Sequence, residues 1–335
     1  MIISVTPNTA VDYTLRVSEF TLGQTIRSLE SAWGMGGKAA DAAWILGHYG
    51  VTNLALGFAA GQNGHRMEGM LHERGCQTDF VWVNGETRLN IVLSKNGNHS
   101  TFTTSTLEVT SNHIYTFFAK YAQALERASC LIFGGSLPKG VPPSFIADVI
   151  KMARTKDIPI LFDSSGPYLK MGIDAHPTVV KPNLVELQEL TSDRSIAMSE
   201  DSYTEKRMQM IYTCAQKLSM DYDVSVVVTM GKEGALALLG NSHYWIPSLK
   251  VEVVSAAGAG DGVLAGLAMA FSERKPITDG LRLGFALASA ITLTTATADY
   301  HINDVQRFLP LIELIPITSE TFTMPGTLKR LRTDV

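Results

Sequence analysis

The sequence predicts an α/β fold, with helices packed on a mainly parallel β sheet and a second, small β sheet standing off it as a lid. Three observations carry this. Short apolar runs alternate with helical patterns over most of the 335 residues, the order that builds a parallel sheet covered by helices. Most of those runs end in Gly, Asp or Asn, residues that let a chain leave a strand and turn. Two stretches, residues 14–29 and 80–102, break the rhythm: they read as extended, with polar interruptions and no helix between their halves.

Taken in order, the expected strands are residues 2–5, 53–56, 131–133, 158–162, 178–180 and 224–229. Ala39, Ala42, Ala43 and Leu46 share one helical face, as do Met208, Ile211, Tyr212, Ala215 and Leu218. A further apolar helix is expected from the 258–262 glycine cluster to about residue 271. The most apolar stretches, 256–271 and 285–298, carry Asp261 or four threonines and fall short of a membrane-spanning helix. In sheets of this kind ligands sit beyond the carboxyl ends of the strands. The tail, residues 318–335, is polar with scattered basic residues, so the expected domain is 1–317, its lid lying at about 12–30 and 80–105.

Composition narrows the function. Hydrophobic residues make up 45% and charged ones 18%, the latter below the roughly 25% usual for soluble domains, so a sizeable core is expected and general disorder is excluded. Lys+Arg is 28 against Asp+Glu 32, a net charge of -4, which leaves no basic excess for a nucleic-acid partner. The three cysteines, Cys76, Cys130 and Cys214, form no CxxC pair, which argues against a disulfide framework or zinc site and for a reducing compartment. The opening MIISVTPNTA lacks the pattern of a signal peptide. A cytoplasmic protein with a small ligand and no membrane partner is therefore expected.

Glycine clusters supply the candidate chemistry. Gly34, Gly36 and Gly37 precede Lys38 and a helix, where backbone N–H groups and the helix dipole favour an anion. Ala39 after Lys38 departs from the Walker A pattern. A Rossmann fingerprint would need a strand just before and a third glycine, and neither is read here. A plain tight turn explains the cluster equally well. Gly258, Ala259, Gly260, Asp261 and Gly262 head an apolar helix. They form either an anion-binding nest with a proton acceptor in its first turn or a helix start whose Asp261 merely complements the dipole. Gly134, Gly135 and Ser136 follow a strand. Asn183 and Glu186, three apart, suit hydrated magnesium or else a capping box. Thr229, Gly231 and Gly234 form either a ligand loop or a β-turn.

In this order, GGKAADAAWILGHYG, TRLN, GGSLPKGVP, LFDSSG, KPNLVEL, VVVTMGKEGAL and AAGAGDGVLAG resemble the ribokinase-like (PfkB-type) carbohydrate kinases. The likeness is greatest to the fructose-1-phosphate kinase and tagatose-6-phosphate kinase branch. It implies a ribokinase-like three-layer sandwich with a β lid, and an ATP- and Mg2+-dependent kinase acting on a hydroxyl of a sugar phosphate of the fructose 1-phosphate or tagatose 6-phosphate type. Alternatives are a kinase of an unphosphorylated sugar or nucleoside, or a sugar-binding regulator without catalysis. The resemblance further implies Asp261 as general base and Gly258, Ala259 and Gly260 as the anion hole. Asp12, Gly36, Gly37, Lys38, Asp41, Arg88, Asn90 and Ser136 would face the sugar, Lys38 and Arg88 meeting its phosphate. Asn183, Glu186, Thr229, Gly231 and Gly234 would bind the nucleotide, with Asn183 and Glu186 holding magnesium through water. Family members often dimerise through the lid.

Among the departures from the family pattern, two bear on the charge of the sugar site. Asp41 stands where Asn is usual, and Gln24 where some relatives have Lys; both make the sugar site less positive. Asp41 is expected either to change which hydroxyl pattern or charge the site accepts, or to pair with Lys38 one helical turn away.

Overall fold

The apolar start of the chain forms β1 (Ile2–Asn8), and after Thr9 the chain enters β2 (Ala10–Arg16) of a different sheet. The computed structural model in which this is seen describes residues 1–95, 98–191 and 205–317; the tail singled out above, 318–335, lies outside them. β3 (Glu30–Gly36) runs into α1 (Lys38–His48), followed by β4 (Asn53–Ala59) and α2 (Gly61–Glu73). Two short strands, β5 (Gln77–Thr78) and β6 (Val81–Trp82), precede the hairpin of β7 (Arg88–Lys95) and β8 (Asn98–Thr103). Helix and strand then alternate through α3 (Ser111–Leu125), β9 (Cys130–Gly134), α4 (Ser144–Arg154), β10 (Ile160–Asp163) and α5 (Gly166–Ile173). Next come β11 (Val179–Val180), α6 (Leu184–Thr191), α7 (Glu205–Tyr222), β12 (Ser225–Thr229), β13 (Ala235–Leu239) and β14 (Ser242–Ile246). The described chain closes with α8 (Ala259–Glu273), α9 (Ile277–Ile291), α10 (Ile302–Phe308) and β15 (Ile315–Ile317).

Contacts divide the chain into two units. The first, residues 1–178 and 249–312, holds parallel strands in the order β10-β9-β1-β4-β5, with β6 also on β4. Every residue of β1, β4, β9 and β10 is buried, the signature of a parallel sheet covered on both faces. α1 and α8 pack together over β1 and β9. Phe58 of β4 meets Phe117 of α3 and Phe145 of α4, with ring centroids 5.5 and 6.1 Å away. The second unit starts at residue 179 and pairs β11 with β12 in parallel, then continues antiparallel through β13, β14 and β15. Among the described residues no helix is long and apolar enough to cross a membrane.

The small sheet belongs to the first unit and runs β3-β2-β7-β8. Its limits correct the sequence reading at three points. Residues 17–29 form no strand, whereas Glu30–Gly36, which holds Gly34 and Gly36 of the cluster read as a tight turn, is a strand paired along its whole length with β2. Its Ser, Gly and Glu content is poor in strand formers, and pairing with the more apolar β2 overrides that. A strand therefore does precede the Gly36–Gly37 turn, although the third glycine of a dinucleotide fingerprint is still missing. Within 80–102, Val81–Trp82 joins the main sheet through β4.

The close approach of α8 and α9 fixes the start of α8. A Cβ on Gly266 would lie 2.3 Å from the Gly284 backbone nitrogen, a contact that only a shift of one helix relieves. Gly266→Val is expected to cost about 1–3 kcal/mol and to lower Tm by several degrees in thermal unfolding; an unchanged Tm would contradict this packing.

Candidate active site

The small sheet brings three polar side chains to one face. In the ladder Asp12 lies opposite Asn90 and Ala10 opposite Arg88, so Asp12, Arg88 and Asn90 project to the same side. Asp12 is buried, and its carboxylate accepts from Asn90 Nδ2 (2.8 Å) and Thr297 Oγ1 (2.8 Å). Burial raises the Asp12 pKa, while those two donors and the nearby Arg88 and His99 oppose the rise. Burial pulls the Arg88 guanidinium below its ordinary value, with Asp12 and Asp41 resisting. Gly36 faces Asp12 so closely that a Cβ there would sit 2.3 Å from Oδ1.

At the head of α1, Gly37 takes φ +100° and the helix begins at Lys38. Lys38 Nζ donates to Asp163 Oδ1 (2.5 Å), the last residue of β10. Asp41 feels Lys38 as a nearby charge, but the hydrogen-bonded ion pair expected between them is made with Asp163 instead. The Asp41 carboxyl is buried and feels the nearby Asp261 carboxyl. Burial, the Asp261 charge and the Asp12 charge push its pKa well above the usual carboxylate range. Such a rise favours the un-ionised form of the carboxyl at position 41.

Asp261 is buried in the first turn of α8. The helix is entered through Gly258 at φ +80°, where a Cβ would lie 2.5 Å from the Ala298 nitrogen, so both the turn and the close approach require glycine. The Ala259 N–H points to the Ala256 carbonyl at 3.3 Å and that of Asp261 to the Gly258 carbonyl at 3.0 Å. Ser136 accepts from Asn8 Nδ2 (3.0 Å), beyond the carboxyl end of β1.

Arg88 Nε, Asn90 Oδ1 and Asp41 Oδ1 are among the buried polar atoms of this unit that have no hydrogen-bond partner among the described residues. Buried polar atoms are normally satisfied, and one donor with two acceptors is the complement of an anionic group bearing hydroxyls.

The second unit carries the other candidates. Asn183 and Glu186 form a reciprocal capping box: Glu186 Oε2 accepts from the Asn183 N–H (2.8 Å), and Asn183 Oδ1 accepts from the Glu186 N–H (2.9 Å). Thr229 bridges Asn183 and donates its N–H to the Pro182 carbonyl (3.0 Å). Gly231 opens a 3-10 turn that ends at Gly234, both with positive φ, and Glu233 in that turn is held by Arg207 at 2.8 and 2.9 Å. Among the described residues no group of three His, Cys, Asp or Glu is placed to hold a metal. One carboxylate and one amide, both already capping, fit an ion that keeps its waters and takes phosphate oxygens as its main ligands.

Sequence reasoning missed Asp163, Asn8 and Thr297. Asp163 closes a predicted strand, which was a usable signal; Thr297 reaches Asp12 across 285 positions of sequence, and no local pattern marks it.

Comparison with known proteins places the chain in a family. The chain is 27% identical over 314 residues to a 1-phosphofructokinase of Bacillus subtilis (strain 168), covering 94% of this chain and 99% of the relative. It is 28% identical over 320 residues to a 1-phosphofructokinase of Vibrio cholerae, covering 94% and 98%. The fold matches that of phosphofructokinase-2 from Escherichia coli with a TM-score of 0.78 and 22% identity, over 92% of this chain and 98% of that one. The model of the pfkB family carbohydrate kinases matches residues 5–302, and so this chain belongs to that family of ATP-dependent carbohydrate kinases.

Proposed function

We propose that the protein transfers the γ-phosphoryl group of ATP to a hydroxyl of a sugar phosphate, with fructose 1-phosphate as the acceptor. The observation that carries this reading is the set of unpartnered buried atoms, Arg88 Nε, Asn90 Oδ1 and Asp41 Oδ1, in the same unit as the buried Asp261. The 1-phosphofructokinase relatives support the same acceptor.

In this reading Arg88 meets the phosphate already on the sugar. Asp12 and Asn90 accept from its hydroxyls, and Gly36, Gly37 and Ser136 shape the site. Lys38 shares its charge with Asp163, so Arg88 is the main phosphate cation. Asp261 takes the proton of the attacking hydroxyl as the O–P bond forms and ADP leaves. The backbone of Gly258, Ala259 and Gly260 at the start of α8 faces the transferring group, where the helix dipole favours negative charge. Asn183, Glu186, Thr229, Gly231 and Gly234 are assigned to the nucleotide. Asn183 and Glu186 would hold magnesium through water; when bound, the ion neutralises phosphate oxygens. The small sheet keeps water from the reacting group.

Phe102 on the small sheet is exposed, as are Phe20, Leu22 and Leu29 before β3; we assign this apolar surface to a second copy of the chain.

Asp261→Asn is expected to lower kcat by about 10²–10⁴-fold with fructose 1-phosphate binding retained; steady-state rates paired with calorimetric titration test this, and near-normal turnover would end the general-base assignment. Arg88→Gln removes a charge-assisted contact worth about 1.5–3 kcal/mol. Its KM for fructose 1-phosphate should rise by about 10- to 100-fold, whereas an equal effect on uncharged sugars would take the phosphate away from Arg88. Replacing Leu22 and Phe102 by Glu is expected to shift sedimentation toward the monomer, and unaltered sedimentation would free this surface from that role.

A further inference from the structure

Two consecutive residues of the α9–α10 connection, Thr297 and Ala298, touch the small sheet on one side and the head of α8 on the other. Thr297 is buried, and its hydroxyl donates to Asp12 Oδ2 (2.8 Å). Gly34, opposite Asp12 in the β2–β3 ladder, lies so close that a Cβ there would sit 2.7 Å from the Thr297 nitrogen. Ala298 donates its N–H to the Ala257 carbonyl (3.2 Å), and its own nitrogen, Cα and Cβ are the atoms that a Cβ on Gly258 would strike.

The backbone of this joint is strained. Ala298 takes φ +57°, in the left-handed region that a residue with a Cβ seldom enters. The other described non-glycine residues with positive φ, Asp157, His176, Asp223 and Arg274, are exposed, whereas Ala298 is fully buried. Such a conformation persists only where the surroundings dictate it. Here Thr297 is tied to Asp12 on one side. On the other, Asp299 Oδ1 accepts from Arg74 Nη2 (2.7 Å) and the Tyr300 N–H (2.8 Å), and the Asp299 carbonyl accepts from the Thr294 hydroxyl (2.9 Å).

We propose that Thr297 is a positioning residue of the reaction: it holds Asp12 in a set place relative to the turn at residues 258–260, and Ala298 carries that constraint to the turn. This rests on the kinase reading above, in which Asp12 grips the sugar and the turn faces the transferring phosphoryl group. Reacting atoms must be held about 3–3.5 Å apart and aligned. The sheet that holds the sugar and the helix that holds the phosphoryl group therefore need a common reference, and Thr297–Ala298 supplies one. Thr297 acts through Asp12.

Thr297→Val keeps the shape and removes the donor, whereas Thr297→Ser keeps the donor. Thr297→Val should lower kcat/KM for fructose 1-phosphate by about 10- to 100-fold with the KM for magnesium-ATP little changed, and Thr297→Ser should recover most of that loss. In an Asp12→Ala background Thr297→Val should add little. Equal losses in the two Thr297 variants, an equal rise in the KM for ATP, or losses that add fully to that of Asp12→Ala overturn the proposal. Gly34→Ala disturbs the same joint with the hydroxyl intact, because its Cβ pushes Thr297 away; it should show the same acceptor-specific loss, and wild-type rates there also overturn the proposal. Hydrogen exchange of the full chain examines the joint without turnover. Thr297→Val should speed exchange in peptides spanning residues 10–16 and 292–300 and Thr297→Ser should not; unchanged exchange in Thr297→Val overturns the proposal. If only uncharged sugars are turned over, the acceptor assignment fails, and the same variants measured on those sugars still rule on Thr297.

Discussion

Taking a carboxylate out of water costs several kcal/mol unless charge and hydrogen bonds replace the solvent, and this unit buries four: Asp12, Asp41, Asp163 and Asp261 are 7%, 5%, 1% and 9% exposed. Each is balanced differently. Asp163 receives the Lys38 ammonium, Asp12 receives two neutral donors with Arg88 nearby, and burial with the Asp261 and Asp12 charges raises the Asp41 pKa. Because these solutions share Lys38 and Arg88, a change at one carboxyl is felt by the others. The small sheet, the head of α1 and the head of α8 are tied together by this sharing of charge.

The same constraint explains why the site tolerates an acid at position 41. An ionised Asp41 beside Asp12 and Asp261 would place three anions where a phosphosugar must bind. A protonated one offers a donor and an acceptor, the same pair that an amide side chain presents. Among the described residues, Arg88 is the one cation with an unpartnered buried donor atom.

Much of the fold was legible in the sequence because a buried parallel sheet writes itself as short apolar runs. β1, β4, β9, β10 and β12 fall where those runs are, and α1 and α7 where the helical faces are. The small sheet was legible only in outline. Glu30–Gly36 lacks strand-forming residues and becomes a strand through its pairing with β2, a long-range effect that local propensity cannot carry. The site divides in the same way. Asp261 and the 258–260 turn are marked by a glycine cluster at a helix start. Asn183 and Glu186 take the capping-box geometry that their spacing allows, which leaves their nucleotide role to experiment. The upward shift of the Asp41 pKa depends on burial and on carboxyls brought close by folding, which the residue type alone does not reveal.

The central claim is that the acceptor already bears a phosphate. The most direct measurement is ADP release with magnesium-ATP over matched acceptors: fructose 1-phosphate, fructose 6-phosphate, tagatose 6-phosphate, free fructose, ribose and a nucleoside. The account predicts the highest kcat/KM with fructose 1-phosphate and far less with free fructose. Efficient turnover of uncharged acceptors alone would contradict it and would take Arg88 out of phosphate recognition.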